Sequence, residues 1–155
     1  MDVLENTILN YGSVAICEEG KKMCVEEGTI IKNFIEKLKT FNKDEKNDIN
    51  KVAKILIGCT RFLMTVSILK RGKEEIYDNN GIEILFGLLN GIAKDDPQLI
   101  LNVIQCLGNV AEEPRARILL RNDKYLNIIR QYNQHEDELI KEQAKLTEEI
   151  ILWES

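Results

Sequence analysis

Apolar residues recur at steps of three and four positions along most of the chain, which is the period of an amphipathic α-helix. The clearest stripe lies in TIIKNFIEKLKTF, residues 29–41, where it comprises Ile30, Ile31, Phe34, Ile35, Leu38 and Phe41. At the start of the chain a helical stripe is also present, but we expect Tyr11-Gly12-Ser13 to interrupt it. Around a polar loop over 42–48, the pattern predicts further helices over residues 14–27, 49–69, 72–81, 82–94, 99–111, 115–123, 125–133 and 138–153.

Residues that begin or end helices support these boundaries. Gly28-Thr29 is typical of a helix stop followed by an N-cap, and Asp48 is placed to cap the helix that begins at residue 49. Asp96 and Pro97 fit an N-cap and a first helical residue. Glu113-Pro114 should end or kink the preceding helix, because proline lacks the backbone N–H that a helix interior requires.

The order of short, medium and long helices starts over twice. The segment from Gly20 to Gly28 matches the segment from Gly72 to Gly81, and residues 115–123 occupy the same place in a third copy. Offsets of about 50 and 40 residues are typical of a solenoid built from helical repeats. The long helices carry a small residue at matching positions, which are Gly58, Gly108 and Thr147. We interpret these as sites where the neighbouring helix of the next repeat approaches closely, which offsets a helix-propensity cost of roughly 1 kcal/mol for each glycine.

A unit of short, medium and long helix resembles an armadillo repeat. The best copy is residues 81–123, whose long helix ends in Leu107-Gly108-Asn109-Val110-Ala111, similar to the Leu-x-Asn-Leu-Ala ending of that family. HEAT repeats share the fold class but have two helices per unit, so the three-helix unit favours the armadillo type. The resemblance implies an all-α, right-handed α-solenoid of armadillo/HEAT-like repeats in a single domain, with approximate repeats over residues 14–71, 72–113 and 114–153 and an N-terminal cap over 1–13.

Composition and charge narrow the classes of function. The 155 residues are enough for one domain with a core, and the net charge of −5 argues against nucleic acid as the main ligand. No apolar run approaches the ~18 residues of a membrane span, and no secretion signal is recognisable. The four cysteines form no CxxC pair and the chain has one histidine, so we expect no metal site, no cofactor, and core thiols in a reducing, cytoplasmic compartment.

No catalytic residue is predicted. His135 lies in the polar segment QYNQHEDE without a nucleophile pattern around it, and we read it as a surface histidine. The sequence contains no GxSxG, HExxH or phosphate-binding loop. The LxxLL match that begins at Leu85 falls within a predicted medium helix, where its leucines should be core residues.

The resemblance also implies where partners bind, because the third helices of armadillo repeats line a groove that holds extended segments of other proteins. The asparagine ladder of peptide-binding members would fall at Cys59, Asn109 and Glu148, of which Asn109 alone matches, and Gln105 stands where a tryptophan is common. Other chemistry should therefore carry the binding. Our candidate groove residues are Lys51, Lys54, Arg61, Asn102, Gln105, Asn109, Lys141 and Glu148.

A second basic cluster, comprising Arg115, Arg117, Arg121, Lys124 and Arg130, is either a solvated face or a contact for an acidic stretch of a partner. Trp153 could seal the last repeat or pack on another protein. We therefore expect a non-catalytic protein-protein interaction adaptor or a structural subunit of a larger intracellular assembly, and a cytoskeletal or ciliary complex is a setting that rests on the resemblance alone. The alternative is a soluble receptor for a linear peptide segment, of the transport or chaperone co-factor type.

Overall fold

The computed structural model describes residues 2–43, 48–91 and 94–154, and all regular structure in these ranges is α-helical. This confirms the all-α prediction. The ten helices are α1 (Asp2–Val14), α2 (Glu18–Glu26), α3 (Thr29–Phe41), α4 (Ile49–Val66), α5 (Lys70–Asp78), α6 (Gly81–Leu88), α7 (Pro97–Val110), α8 (Pro114–Leu120), α9 (Asp123–Tyr132) and α10 (Glu138–Leu152).

Most predicted caps are confirmed by hydrogen bonds. The carboxylate of Asp48 accepts from the backbone N–H of Asn50 at 2.8 Å, and that of Asp96 accepts from the N–H of Leu99 at 3.0 Å. Pro97 is the first residue of α7, as predicted. The N-cap assigned to Thr29 is wrong, because Thr29 is already helical and follows Gly28 in a left-handed conformation with φ of 46°.

Several predicted boundaries differ from the structure: the helix predicted over 14–27 begins at Glu18, and those predicted over 72–81 and 115–123 end at Asp78 and Leu120. The break expected at Tyr11-Gly12-Ser13 is wrong, because α1 continues to Val14 and the Ser13 hydroxyl donates back to the carbonyl of Leu9. The helix predicted over 49–69 ends at Val66, and the helix predicted over 82–94 ends at Leu88. Residues 92–93 of that prediction, and residues 44–47 of the predicted loop, lie outside the described residues.

The long helices pack on one another in chain order. α1 lies against α4, α4 against α7 and α7 against α10, while the medium helices α3, α6 and α9 pack on α4, α7 and α10 respectively. One apolar cluster runs through all of these contacts, from Ile8 in α1 to Ile151 in α10. The core is therefore continuous along the row of long helices.

Gly20 and Gly72 occupy equivalent positions, as the sequence match predicts. Each is the third residue of a short helix, and a Cβ would lie 1.8 Å from the carbonyl oxygen of Val14 in the first case. In the second case it would lie 2.0 Å from the carbonyl oxygen of Val66. Val14 and Val66 end the preceding long helices, so a residue without a side chain is required where the chain turns back.

Gly58 and Gly108 both face a neighbouring long helix. A Cβ on Gly108 would lie 2.8 Å from the hydroxyl oxygen of Thr147 in α10, which is the next long helix, as predicted. A Cβ on Gly58 would lie 2.6 Å from a methyl carbon of Ile8 in α1, which is the preceding long helix. The expected direction of the close approach is therefore right for Gly108 and wrong for Gly58.

Candidate functional site

Two grooves lie between successive long helices. The first is lined by Glu5 and Leu9 of α1 together with Lys54 and Arg61 of α4. The second is lined by residues of α7 and α10, which are Leu101, Gln105, Leu139, Glu142, Gln143 and Leu146. α4, which lines the first groove, packs on α7, which lines the second, and the amide of Asn102 in α7 donates to the carbonyl of Ile57 in α4. We call the exposed residues of these two grooves, with Lys51 and Trp153, the long-helix surface.

The α4 part of the long-helix surface is basic. Lys51, Lys54 and Arg61 are all exposed and follow one face of the helix at spacings of three and seven residues. Within the described ranges, none of the three lies within 4.0 Å of a carboxylate oxygen. Their charges are therefore presented to solvent, where they can meet an acidic partner.

The α10 part is apolar and acidic. Leu139 and Leu146, two turns apart, are 64% and 50% exposed, and Trp153 one further step of seven residues along is 55% exposed. The carboxylates of Glu142 and Glu149 flank this apolar row. Exposed large apolar side chains in a row are typical of a protein-binding face. Our sequence reasoning missed Leu139 and Leu146, although their seven-residue spacing on a helix was visible.

Asn102 and Asn109 face inward, against our expectation of groove contacts. Asn102 is 1% exposed, and its amide nitrogen lies 3.3 Å from both the carbonyl of Ile57 and the hydroxyl of Thr60. Asn109 repeats the arrangement two turns later, donating to the carbonyl of Met64 at 3.3 Å and to the hydroxyl of Ser67 at 3.0 Å. These amides join α7 to α4. Gln105, which points into the second groove, remains in the site.

Lys141 and Glu148 are engaged within the chain. Lys141 forms an ion pair with Glu138 on the same helix. Glu148 accepts hydrogen bonds from the guanidinium of Arg130 and the amide of Asn133, each at 2.6 Å, and so joins α10 to α9. The hydrogen bond from Arg130, supported by Asn133, holds the pKa of Glu148 below its ordinary value. The role of this carboxylate is therefore to fix helices, and we assign it no partner contact.

The second basic cluster is largely occupied by internal contacts. Arg115 pairs with Glu113 at 2.8 Å and with Asp78 at 3.0 Å. Arg121 donates to the carbonyls of Ile151 and Trp153, which are acceptors at the end of α10 that lack helical partners.

Arg130, another member of that cluster, pairs with Glu148 as described above. The two remaining members, Arg117 and Lys124, lie over aromatic rings. Arg117 stands 4.9 Å from the centroid of the Trp153 ring, and Lys124 stands 5.0 Å from that of Tyr125. Arg117 and Trp153 therefore contact each other after the end of α10, and the half-exposed indole lines a pocket with Leu146, which also lines the second groove.

The groups that could carry chemistry lie apart from the long-helix surface. The ring nitrogen Nδ1 of His135 accepts from the backbone N–H of Asp137 at 3.0 Å, which helps to begin α10. Burial raises the pKa of the Cys59 and Cys106 thiols to about 12, so both are protonated and unreactive at neutral pH. Within the described ranges, no group of His, Cys, Asp and Glu is arranged to hold a metal ion, and no helix is long and apolar enough to cross a membrane.

Comparison with known proteins adds information on the fold alone. Neither a protein-family model nor a curated protein sequence matches the chain. Among solved structures, the chain is similar to an engineered protein whose crystal structure was determined by the Northeast Structural Genomics Consortium, with a TM-score of 0.77 and 17% sequence identity. The similarity covers 96% of this chain and 57% of that one, so the chain spans little more than half the length of the engineered protein.

Proposed function

We propose that the chain is a short right-handed α-solenoid of armadillo-like repeats that acts as a non-catalytic adaptor or structural subunit and binds another protein through the long-helix surface. The observation that carries the binding proposal is the exposed apolar row of Leu139, Leu146 and Trp153, on the same row of packed long helices as the exposed basic residues of α4. An intracellular, cytoplasmic setting, including a cytoskeletal or ciliary complex, belongs to the same proposal and rests on the family resemblance.

The repeat part of the proposal is supported by equivalent contacts in successive layers. Gly20 and Gly72 make the same close approach to the end of a long helix, and Ala116, the third residue of α8, is fully buried at the corresponding place. The long helices follow one another in a row with the medium helices beside them. A row of this kind buries its sides and leaves one edge of each long helix in solvent, which provides an extended surface for a partner.

The choice of an adaptor over a peptide receptor is supported by the asparagines. The resemblance to armadillo repeats implies that a receptor for extended peptides would hold its ligand with a ladder of asparagine amides. The amides of Asn102 and Asn109 are instead bonded to α4. The amides of Gln105 and Gln143 remain in the second groove, but the surface is otherwise mainly apolar side chains and charge, which suit a folded or helical partner with complementary side chains. The assembly role also predicts that the chain gains stability when it joins its partner, since a ligand that binds only the folded state stabilises it.

The test is site-specific photo-crosslinking in the native cell or lysate. A photoreactive residue is placed at Leu146 in one variant and at Lys54 in a second, and cross-linked proteins are identified by mass spectrometry. We expect the same partner from both positions, because both lie on the long-helix surface. The matched control carries the photoreactive residue at Lys39, which is exposed on α3 outside the two grooves.

A charge and polarity test follows with the partner so identified. Arg61→Glu and Leu146→Glu should each weaken binding by about tenfold or more, while Lys39→Glu should leave it unchanged. Cross-linking that is as frequent from Lys39 as from Leu146, or full binding by both surface variants, would refute the proposed surface. Tight binding of an isolated extended peptide that is abolished by Asn109→Ala would favour the receptor alternative.

A further inference from the structure

The medium helices fill a recurring position in the fold. α3 packs against both α4 and α6, and its Ile35 reaches the start of α6, where a Cβ on Gly81 would lie 3.1 Å from it. α6 fills the corresponding position one layer on, packing against α7 and touching α9, where the Phe86 and Tyr125 rings are 4.7 Å apart. In each case a medium helix occupies the channel between its own long helix and the next medium helix.

The channel between α1 and α3 is the first member of this series, and in the described part of the chain it is open. α1 corresponds to a long helix, because it packs on α4 as α4 packs on α7. Between α1 and α3 lies a groove of about 570 Å³. Its lining comprises Leu4, Thr7, Ile8, Tyr11, Ile30, Asn33, Phe34, Glu36, Lys37 and Thr40. We call it the α1/α3 groove.

The walls of the α1/α3 groove suit apolar side chains. Tyr11 and Phe34 meet edge to face with ring centroids 5.8 Å apart, and Phe34 stacks on Phe62 at 4.0 Å, so the floor is a fixed aromatic surface. The hydroxyls of Thr7 and Thr40 donate to carbonyls of their own helices, at 2.7 and 2.9 Å. Both hydroxyl hydrogens are therefore already used within the helices, and these two residues offer no free hydrogen-bond donor to a ligand in the groove.

We propose that the α1/α3 groove binds an amphipathic α-helix of a partner protein, seated as α3 is seated between α4 and α6. The interface would continue the series of medium-helix contacts already present in the chain. The recognised helix carries large apolar residues at steps of three and four, as Ile31, Phe34 and Leu38 do in α3. Its outer face is polar, since the rim of the groove carries both Glu36 and Lys37.

The probe is a helical peptide that copies residues 29–41, because α3 already fills the next channel in the series. Lys32 and Glu36 are exposed and four residues apart, so a lactam bridge between them stabilises the helix and leaves its apolar face intact. Binding of the fluorescently labelled peptide to the full chain is followed by anisotropy. We expect saturable binding with a dissociation constant on the order of tens of micromolar, lost when the peptide carries Phe34→Asp.

Two exposed groove residues give variants of the full chain that should remain folded. Thr7→Arg and Thr40→Arg each place a charge in the groove and should weaken binding by about tenfold or more. Asn127→Arg makes a similar change on the exposed side of α9 and should bind like the original chain. A thermal melt followed by circular dichroism verifies that the three variants fold.

Four results would overturn the proposal. One is the absence of saturable binding up to the solubility limit of the peptide, and another is undiminished binding by Thr7→Arg. The third is cross-linking of the peptide to α4 and α6 in place of α1, which would mean that it displaces α3. Sedimentation of the chain alone provides the fourth, because a dimer that Thr7→Arg dissolves would assign the groove to a second copy of this chain. The long-helix surface is untouched by these variants, so the two binding proposals fail or stand separately.

Discussion

At the scale of single residues, glycine has different consequences in different helices of this chain. Gly12 lies within α1, and apart from its own stretch of helix nothing in the described part of the chain lies within 4 Å of the position that a Cβ would take. Gly108 lies within α7, where a Cβ would lie 2.8 Å from the hydroxyl oxygen of Thr147. That oxygen is fixed, because the hydroxyl donates to the carbonyl of Ile104 at 3.2 Å. Close packing thus requires the glycine in α7, whereas in α1 the glycine adds conformational freedom without a packing benefit.

The same substitution should therefore change stability in opposite directions. Gly12→Ala should raise the free energy of unfolding by up to about 1 kcal/mol, which is the difference in helix propensity. Gly108→Ala should lower it by about 1 to 2 kcal/mol, because the overlap with Thr147 outweighs that gain. Urea unfolding of both variants beside the original chain measures the two values. Changes of the same sign would show that the contact at Gly108 relaxes freely.

The cysteines should differ sharply in reactivity. Cys17 is exposed before α2, whereas Cys24, Cys59 and Cys106 are buried with pKa values raised mainly by that burial. A thiol reagent at pH 8 should therefore label one cysteine rapidly in the native chain and all four in urea. Peptide mapping should place the rapid label on Cys17. Rapid native labelling of Cys59 or Cys106 would mean that the core opens between long helices.

Local chemistry made some residues predictable and left others undetermined. Asp48, Asp96 and Pro97 were predictable because capping depends on residues within one turn. The direction of Asn102 was not, since α7 is surrounded by packed neighbours and a rotation of the helix by a fraction of a turn decides which one an amide meets. Gln105 lies only three residues along and faces the second groove instead.

At the scale of elements, α10 is fixed by polar contacts along its length. Asp137 accepts from the N–H groups of Leu139 and Ile140 at its start, and Arg121 donates to carbonyls at its end. Between these, Glu148 joins the helix to α9 through Arg130. These polar contacts hold α10 in place, although α7 is the one long helix in the described ranges on which it packs.

The contribution of Glu148 should depend on pH. Its pKa is lower in the folded chain than in the unfolded one, so it stabilises the fold above the unfolded value of about 4.3 and loses this effect as pH falls through the folded pKa. Glu148→Gln should lower the free energy of unfolding at pH 7 by about 1 kcal/mol. The difference from the original chain should shrink as the pH is lowered below about 4.3.

The exposed neighbour Glu149 supplies the control for this measurement. Within the described ranges it takes part in no ion pair, so Glu149→Gln should alter stability little at either pH. Urea unfolding at several pH values between 3 and 7 compares the two variants with the original chain. If the free energy of unfolding of Glu148→Gln differed from that of the original chain by the same amount at all pH values, the carboxylate would act through packing and not through its charge.

Element boundaries were predictable where periodic apolar residues met a capping residue, as at the start of α4 and α7. α1 shows why the rest were not. Tyr11-Gly12-Ser13 has the composition of a turn, yet the Tyr11 ring packs on Phe34 and Phe62 and so holds the segment in the helix. Tertiary contact of this kind overrides local propensity and cannot be inferred from residues 11–13 themselves.

At the scale of the whole molecule, the four long helices differ in how they are supported. α4 and α7 each have a long helix on both sides, whereas α1 and α10 each have one. α10 gains further support from α8 and α9. α1 has α2 and the open α1/α3 groove beside it, and Val3 and Leu9 on its surface are 81% and 63% exposed. The local free energy of opening should therefore be lowest at α1.

Hydrogen exchange measured by mass spectrometry checks this order. Amides of α1 should exchange fastest among the long helices, those of α10 more slowly, and those of α4 and α7 slowest, because inner helices open only when two interfaces separate. Peptides from α4 that exchange as fast as those from α1 would contradict the expected hierarchy. The positions of α4, α7 and α10 along the chain could be predicted from the apolar periodicity, whereas the open side of α1 depends on packing between helices.

The paired amides of Asn102 and Asn109 have a mechanical consequence. Both cross the same boundary, and each pairs with a hydroxyl 42 positions earlier in the chain, at Thr60 and Ser67. Sliding of α7 along α4 must break both sets of bonds at once, so this boundary resists displacement of one helix along the other. A force that pulls the ends of the molecule apart should peel α1 from its edge while the middle of the chain keeps its alignment.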